Sequence, residues 1–175
     1  MRKFFDGYLK EFVYGALDGT VTTFAIIAGS AGASLSSAIV LILGISNVLA
    51  DGFSMASSNY LSEKSDREQS EIQNLQGNGK KINPFKKAFA TFASFILIGS
   101  IPLMPYAINA IFGIWTEKIF LISCVFTSIA FLLIGQMKAL AVNKNGFLSG
   151  LETLLVGGVA ATVAYFVGAF LDKII

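Results

Sequence analysis

Four side chains could do chemistry in an otherwise apolar chain: Glu11, Asp18, Asp51 and Met55. Asp18 lies in "EFVYGALDGTVTTFAIIAGS", residues 11 to 30, and the 53 consecutive residues between Lys10 and Lys64 contain neither Lys nor Arg. Its counter-charge must therefore come from elsewhere. Glu11 and Asp18, seven residues apart, share one helix face with a drift of about 20°. They are separated by about 10 Å along the axis, too far to hold one ion together but well spaced as successive stations. Asn47, Asp51 and Met55 recur at i, i+4 and i+8 among Val, Leu and Ile, a polar and sulfur-bearing stripe expected to face an interior. Counted from the ends of the apolar stretches, Asp18 and Met55 both fall about 9 Å below the same membrane boundary, which would let them meet. The same count places Asp51 about four residues, or roughly 6 Å, away from the depth of Asp18. Oxygen ligands alone would suit Mg²⁺ or Ca²⁺, whereas a thioether beside a carboxylate shifts preference to transition ions, with Fe²⁺ and Mn²⁺ the best fit. The structural alternative for Met55 is a flexible filler of core space.

The elements that must position these groups are membrane spans. Hydrophobic residues form 54% of the 175 and charged ones only 14%, with a mean hydropathy of +0.69, whereas a soluble domain is about a quarter charged. Apolar stretches of the roughly 20 residues needed to cross a bilayer fall near 12–32, 37–61, 88–113, 119–142 and 148–171. The expected architecture is an all-α, multi-pass integral membrane protein, residues 1–175 forming one five-span domain. The first stretch lacks a small-residue cleavage site after a short core and is expected to remain as a span. Cys124 is the one cysteine, there is no histidine, and the formal charge is +2. This excludes disulfides and thiolate clusters within one chain and gives no ground for nucleic-acid binding.

Positive charge is distributed unevenly about the five spans. Arg2, Lys3, Lys10, Lys64, Arg67, Lys80, Lys81, Lys86, Lys87, Lys138 and Lys144 fall on one side, and only Lys118 and Lys173 on the other. The positive-inside rule then predicts a cytosolic N terminus and a C terminus outside, in either a cell membrane or a vacuole-type membrane. The polar segment 62–87 becomes a cytosolic loop. Its start pairs Lys64 with Glu68 and Arg67 with Glu71 at i,i+4, so the second helix is expected to continue for a turn or two before "GNG" at 77–79. Glu63, Asp66, Glu68 and Glu71 read as a solvated helix end with at most a weak attraction for cations. Gly29, Gly32, Gly157, Ala161, Ala164 and Gly168 are small residues suited to close helix packing. Pro102 and Pro105 predict a kink or an opening in the third span.

With these motifs in view, the chain resembles the vacuolar iron transporter family. "YGALDGTVTTFAIIAGSAGA" and "LADGFSMASSNYLSEKSD" look like its first and second spans, and "GSIPLMPY" and "GLETLLVGGVAATVAYFVGA" extend the likeness through the third and fifth. The resemblance implies a five-helix protomer that forms a homodimer, with an ion path between protomers lined by the first helices. It implies metal-path roles for Glu11, Asp18 and Met55. Glu11 stands where an Asp is more usual, and Asn47 stands where plant-type members have an acid, so the resemblance implies that Asp51, one turn later, supplies the contribution of the second helix. The long glutamate-rich cytosolic metal-binding domain of those members is replaced by the polar segment 62–87, making this a short form.

Taken together, these features describe a transporter, not an enzyme. It is expected to move Fe²⁺ and/or Mn²⁺ out of the cytosol in exchange for protons and to carry no cofactor beyond the transported metal, its expected partners being divalent metal, membrane lipid and a second copy of itself. Burial favours a neutral acid and a bound divalent ion favours the carboxylate, so metal binding would expel protons without any histidine. Glu11 is expected at a boundary where water still screens it, and Gly15 and Thr22 near the contact between protomers. Two rivals are a non-transporting membrane scaffold with hydrogen-bonded, protonated acids, and an intramembrane aspartyl protease using Asp18 and Asp51 as a dyad. Against the protease stand the difference in depth between the two aspartates and the absence of Tyr-Asp or Gly-x-Gly-Asp contexts.

Overall fold

Helix α1 (Leu9–Gly32) opens with Glu11 in its first turn and ends where Ser34 takes a left-handed conformation, φ 54°, that turns the chain back. A computed structural model describes residues 7–72, 83–114, 118–142 and 144–175, all of whose regular elements are helices. Helix α2 (Ser37–Ile72) runs past its apolar part into the polar segment, where Lys64–Glu68 at 3.8 Å and Arg67–Glu71 at 3.4 Å lace successive turns. Arg2, Lys3, the Gly77-Asn78-Gly79 break, Lys80 and Lys81 lie outside the described residues.

Asn83 begins α3 (Pro84–Gly99) by accepting a hydrogen bond from the backbone N–H of Phe85, with Pro84 at the position where a missing N–H costs nothing. A single 3₁₀ turn, Ile101–Leu103, separates it from α4 (Met104–Phe112), which Gly113 closes at φ 65°. The expected kink is thus a full break in the α-helix. Pro102 has no N–H to give the Ile98 carbonyl, and the Thr20 hydroxyl stands 3.5 Å from that oxygen. The Ser123 hydroxyl donates to the Pro102 carbonyl at 2.7 Å, satisfying it from a neighbouring helix. Helices α5 (Ile119–Val142) and α6 (Gly146–Leu171) complete the bundle, α6 started by the Asn145 side chain accepting from the Phe147 N–H.

Five helical segments are long and apolar enough to cross a membrane, the third formed by α3, the 3₁₀ turn and α4 together. The protein is therefore a multi-pass integral membrane protein. α1 is its central helix, packed against α2, α3, α5 and α6. Glycine makes this crowding possible. A Cβ on Gly19 would press on the carbonyl of Phe95, one on Gly99 on the backbone of Gly19, and one on Gly168 on the carbonyl of Gly29. Buried hydroxyls are mostly satisfied by a carbonyl one turn back, as Thr20 to Ala16 at 2.8 Å and Thr127 to Ser123 at 2.7 Å, so the polar residues of the core cost little.

Candidate metal path

Contacts to α3 align the levels of α1 and α2. At one end of the bundle, Lys87 donates a hydrogen bond to Glu63 at 2.6 Å and lies 3.4 Å from Glu11. About one turn further in, Gly15 packs on Thr91 and Ser94, while the Asn59 amide donates to the Thr91 hydroxyl at 3.2 Å. One more turn along α1, Gly19 packs on Phe95, and Gly52, seven residues and about two turns from Asn59 on α2, touches the ring of the same Phe95. Asp18 and Asp51 are the neighbours of those glycines in sequence, so α1 and α2 each carry an aspartate beside the part of the bundle that Phe95 fills.

On α2, Gly52 is packed against the side chains of Phe92, Phe95 and Ile96 of α3.

Glu11 differs from expectation. Its side chain is 8% exposed, beside a Lys87 side chain at 19% and a Glu63 side chain at 30%, so it is enclosed and paired rather than screened by water. The pairing is hard to foresee because the lysine arrives on α3, far along the chain from Glu11, where it reads as a signal of topology. A usable signal is present all the same. Glu63 follows the second apolar stretch and Lys87 precedes the third, so two antiparallel spans joined by one loop bring them level.

The remaining candidates divide. Met55 is half-buried and packs against the hydrophobic core. Asp18 and Asp51 are half-buried, and among the described residues no Lys or Arg forms an ion pair with either. Deeper still by sequence, the buried Thr23 hydroxyl and the Asn47 amide nitrogen have no hydrogen-bond partner. No three acids or cysteines converge on one point among the described residues. One protomer therefore offers pairs of carboxylates along a line rather than a closed cage. Gly15, expected near a contact between protomers, is instead taken up by α3, where a Cβ would collide with the Thr91 carbonyl and the Ser94 hydroxyl.

The chain matches the VIT family over residues 9–76 and 69–169. A vacuolar iron transporter of Toxoplasma gondii is 28% identical over an alignment covering 96% of this chain and 76% of that protein. Vacuolar iron transporter 1 of Eucalyptus grandis is 26% identical, with 90% and 84% covered, and a vacuolar iron transporter of Plasmodium falciparum is 25% identical, with 94% and 82% covered. The first of these alignments runs over 228 positions against the 175 residues of this chain, so that relative carries residues this chain lacks. The two family segments meet at 69–76, where α2 gives way to the connection leading to α3. With the match running through all five spans, the chain belongs to the VIT family.

Proposed function

We propose that the protein carries Fe²⁺ and/or Mn²⁺ out of the cytosol in exchange for protons. The observation that supports this most is the pair Asp18 and Asp51, two half-buried carboxylates inside the spans with no cationic side chain paired to either among the described residues. A charged side chain inside a span costs about 2.5–3.5 kcal/mol even on lenient scales. Two together are tolerable only when a cation or protons neutralise them, and the relatives are named as iron transporters. Exchange of metal for protons at this pair follows from that requirement. Asp18 is the primary charge, Asp51 the second, Met55 a soft contact that favours transition ions, and Glu11 the acid nearest the cytosolic end.

Two aspartates on neighbouring spans would also suit a proteolytic dyad. Family membership decides against that reading, since the relatives are transporters and not enzymes. The scaffold reading leaves the two aspartates without a purpose.

A homodimer completes the ligand set. Tyr14, 59% exposed, and Asp18 lie one turn apart on α1, on a face left partly open by the protomer's other helices. A second copy there would shield Asp18 from lipid and double the carboxylates available to an ion that prefers about six ligands. Thr22→Cys or Tyr14→Cys, in a Cys124→Ser background, should cross-link two protomers, whereas Gly15→Cys would disturb α3 first. The orientation follows from the eleven-to-two distribution of Lys and Arg, with the N terminus in the cytosol.

Uptake of Fe²⁺ and Mn²⁺ into proteoliposomes, with Mg²⁺ and Ca²⁺ as competitors and a proton gradient in either direction, tests the proposal. Saturable, gradient-dependent uptake of the transition ions is expected. Uptake no greater than into protein-free liposomes under both gradients would refute it.

A further inference from the structure

We propose that Lys87 is the specificity-determining residue at the cytosolic end of the path, a tethered cation that only a divalent ion can displace. The inference rests on the proposed transport function and adds a residue to it. Lys87 holds two carboxylates from two different helices, Glu11 of α1 and Glu63 of α2, at 3.4 and 2.6 Å. Asp18 lies two turns further along α1 from Glu11, so an ion travelling along that helix reaches Glu11 first. The ammonium thus sits where the incoming ion would have to sit.

Displacement depends on valence. A covalently attached ammonium competes at an effective concentration on the order of millimolar or more. A monovalent ion that replaces it exchanges one positive charge for one and forfeits the charge-assisted hydrogen bond to Glu63. A divalent ion brings twice the charge to the same two carboxylates, doubling the Coulomb attraction at equal distance. The lysine can yield without unfolding anything, because its flexible stem starts from the first turn of α3 and can carry the ammonium out to water. Its neighbour Lys86 is already exposed. The α1 and α2 carboxylates stay bridged throughout, by the lysine before the metal arrives and by the metal after it.

Two measurements test this. In wild-type proteoliposomes, Mn²⁺ flux should be unchanged when about 150 mM of a bulky organic cation is replaced by K⁺ at constant ionic strength. In Lys87→Met the same replacement should inhibit flux about 10-fold, the size expected for losing one charge-assisted hydrogen bond. Lys87→Arg should restore the wild-type behaviour. The second measurement needs neither a variant nor transport: modification of Lys87 by a water-soluble amine reagent, read by mass spectrometry with exposed Lys64 as the internal reference. Mn²⁺ should accelerate modification of Lys87, and K⁺ at matched ionic strength should not. Equal sensitivity to K⁺ in wild type and Lys87→Met, or a rate of Lys87 modification unmoved by Mn²⁺, overturns the filter while leaving metal transport standing. If the wild type carries no metal, the transport reading fails by itself, and the modification rate still decides whether a divalent ion displaces Lys87.

Discussion

Helices α1 and α2 each carry an outer and a deeper acid, and the two sets are neutralised in opposite ways. At one end Glu11 and Glu63 share an ammonium supplied by the chain, whereas further in Asp18 and Asp51 have no ion-pair partner among the described residues. The side chains are chemically alike. Where the fold brings its own cation, the carboxylates tie three helices together; where it brings none, the charge is left for a mobile ion or proton to satisfy. The depth of each pair matches this division, since the cost of an unpaired charge rises towards the hydrocarbon core and only a functional demand explains carrying it there.

The largest effect is expected from making the deep pair resemble the outer one. Asp51→Lys places an internal cation beside Asp18, and metal uptake into proteoliposomes should fall to the level of protein-free liposomes while the protein still purifies as a folded bundle. Uptake within twofold of wild type would show that the deep pair is not on the path. Glu11→Gln should act less severely and on a different quantity. It leaves Lys87 held only by the more exposed Glu63, so stability should drop by about 1–3 kcal/mol, seen as a lower melting temperature in detergent, while maximal flux is kept and the half-saturating metal concentration rises. Met55→Ala should be mildest. The charges remain, so transport continues, and the discrimination of Fe²⁺ and Mn²⁺ over Mg²⁺ and Ca²⁺ should narrow; unaltered selectivity in competition assays would assign Met55 to the core that it packs against.

Much of the architecture was legible in the sequence, and the reason lies in the solvent. A bilayer requires long apolar helices, and five of them can be read from hydropathy alone. The packing of small residues was equally readable, because Gly29, Gly32 and Gly168 mark where backbones of α1 and α6 touch. Prolines 102 and 105 predicted a disturbance in the third span, though not that a 3₁₀ turn would divide it or that Ser123 and Thr20 would approach the freed carbonyls. Relations between helices were the least legible. Hydropathy locates Asp18 and Asp51 within spans, but the ends of an apolar stretch do not fix the tilt or offset of a helix, which depend on contacts such as those of Gly19 and Gly52 with Phe95. Lys87 escapes a sequence reading for a similar reason. Its role depends on two carboxylates that only tertiary structure brings within reach.

Whether the uncompensated charge of Asp18 binds the transported metal and exchanges it for protons is decided by recording metal uptake and internal pH together, in the same proteoliposomes, for wild type and Asp18→Asn. The substitution preserves size and removes the charge. Metal flux and the accompanying proton movement should both fall by ~100-fold or more, the upper range for losing a group that sustains a metal site, with the melting temperature unchanged or raised because a buried charge has been removed. Wild-type flux and proton coupling in Asp18→Asn would contradict the proposed mechanism, since no other acid lies at that level of α1 to take over the charge.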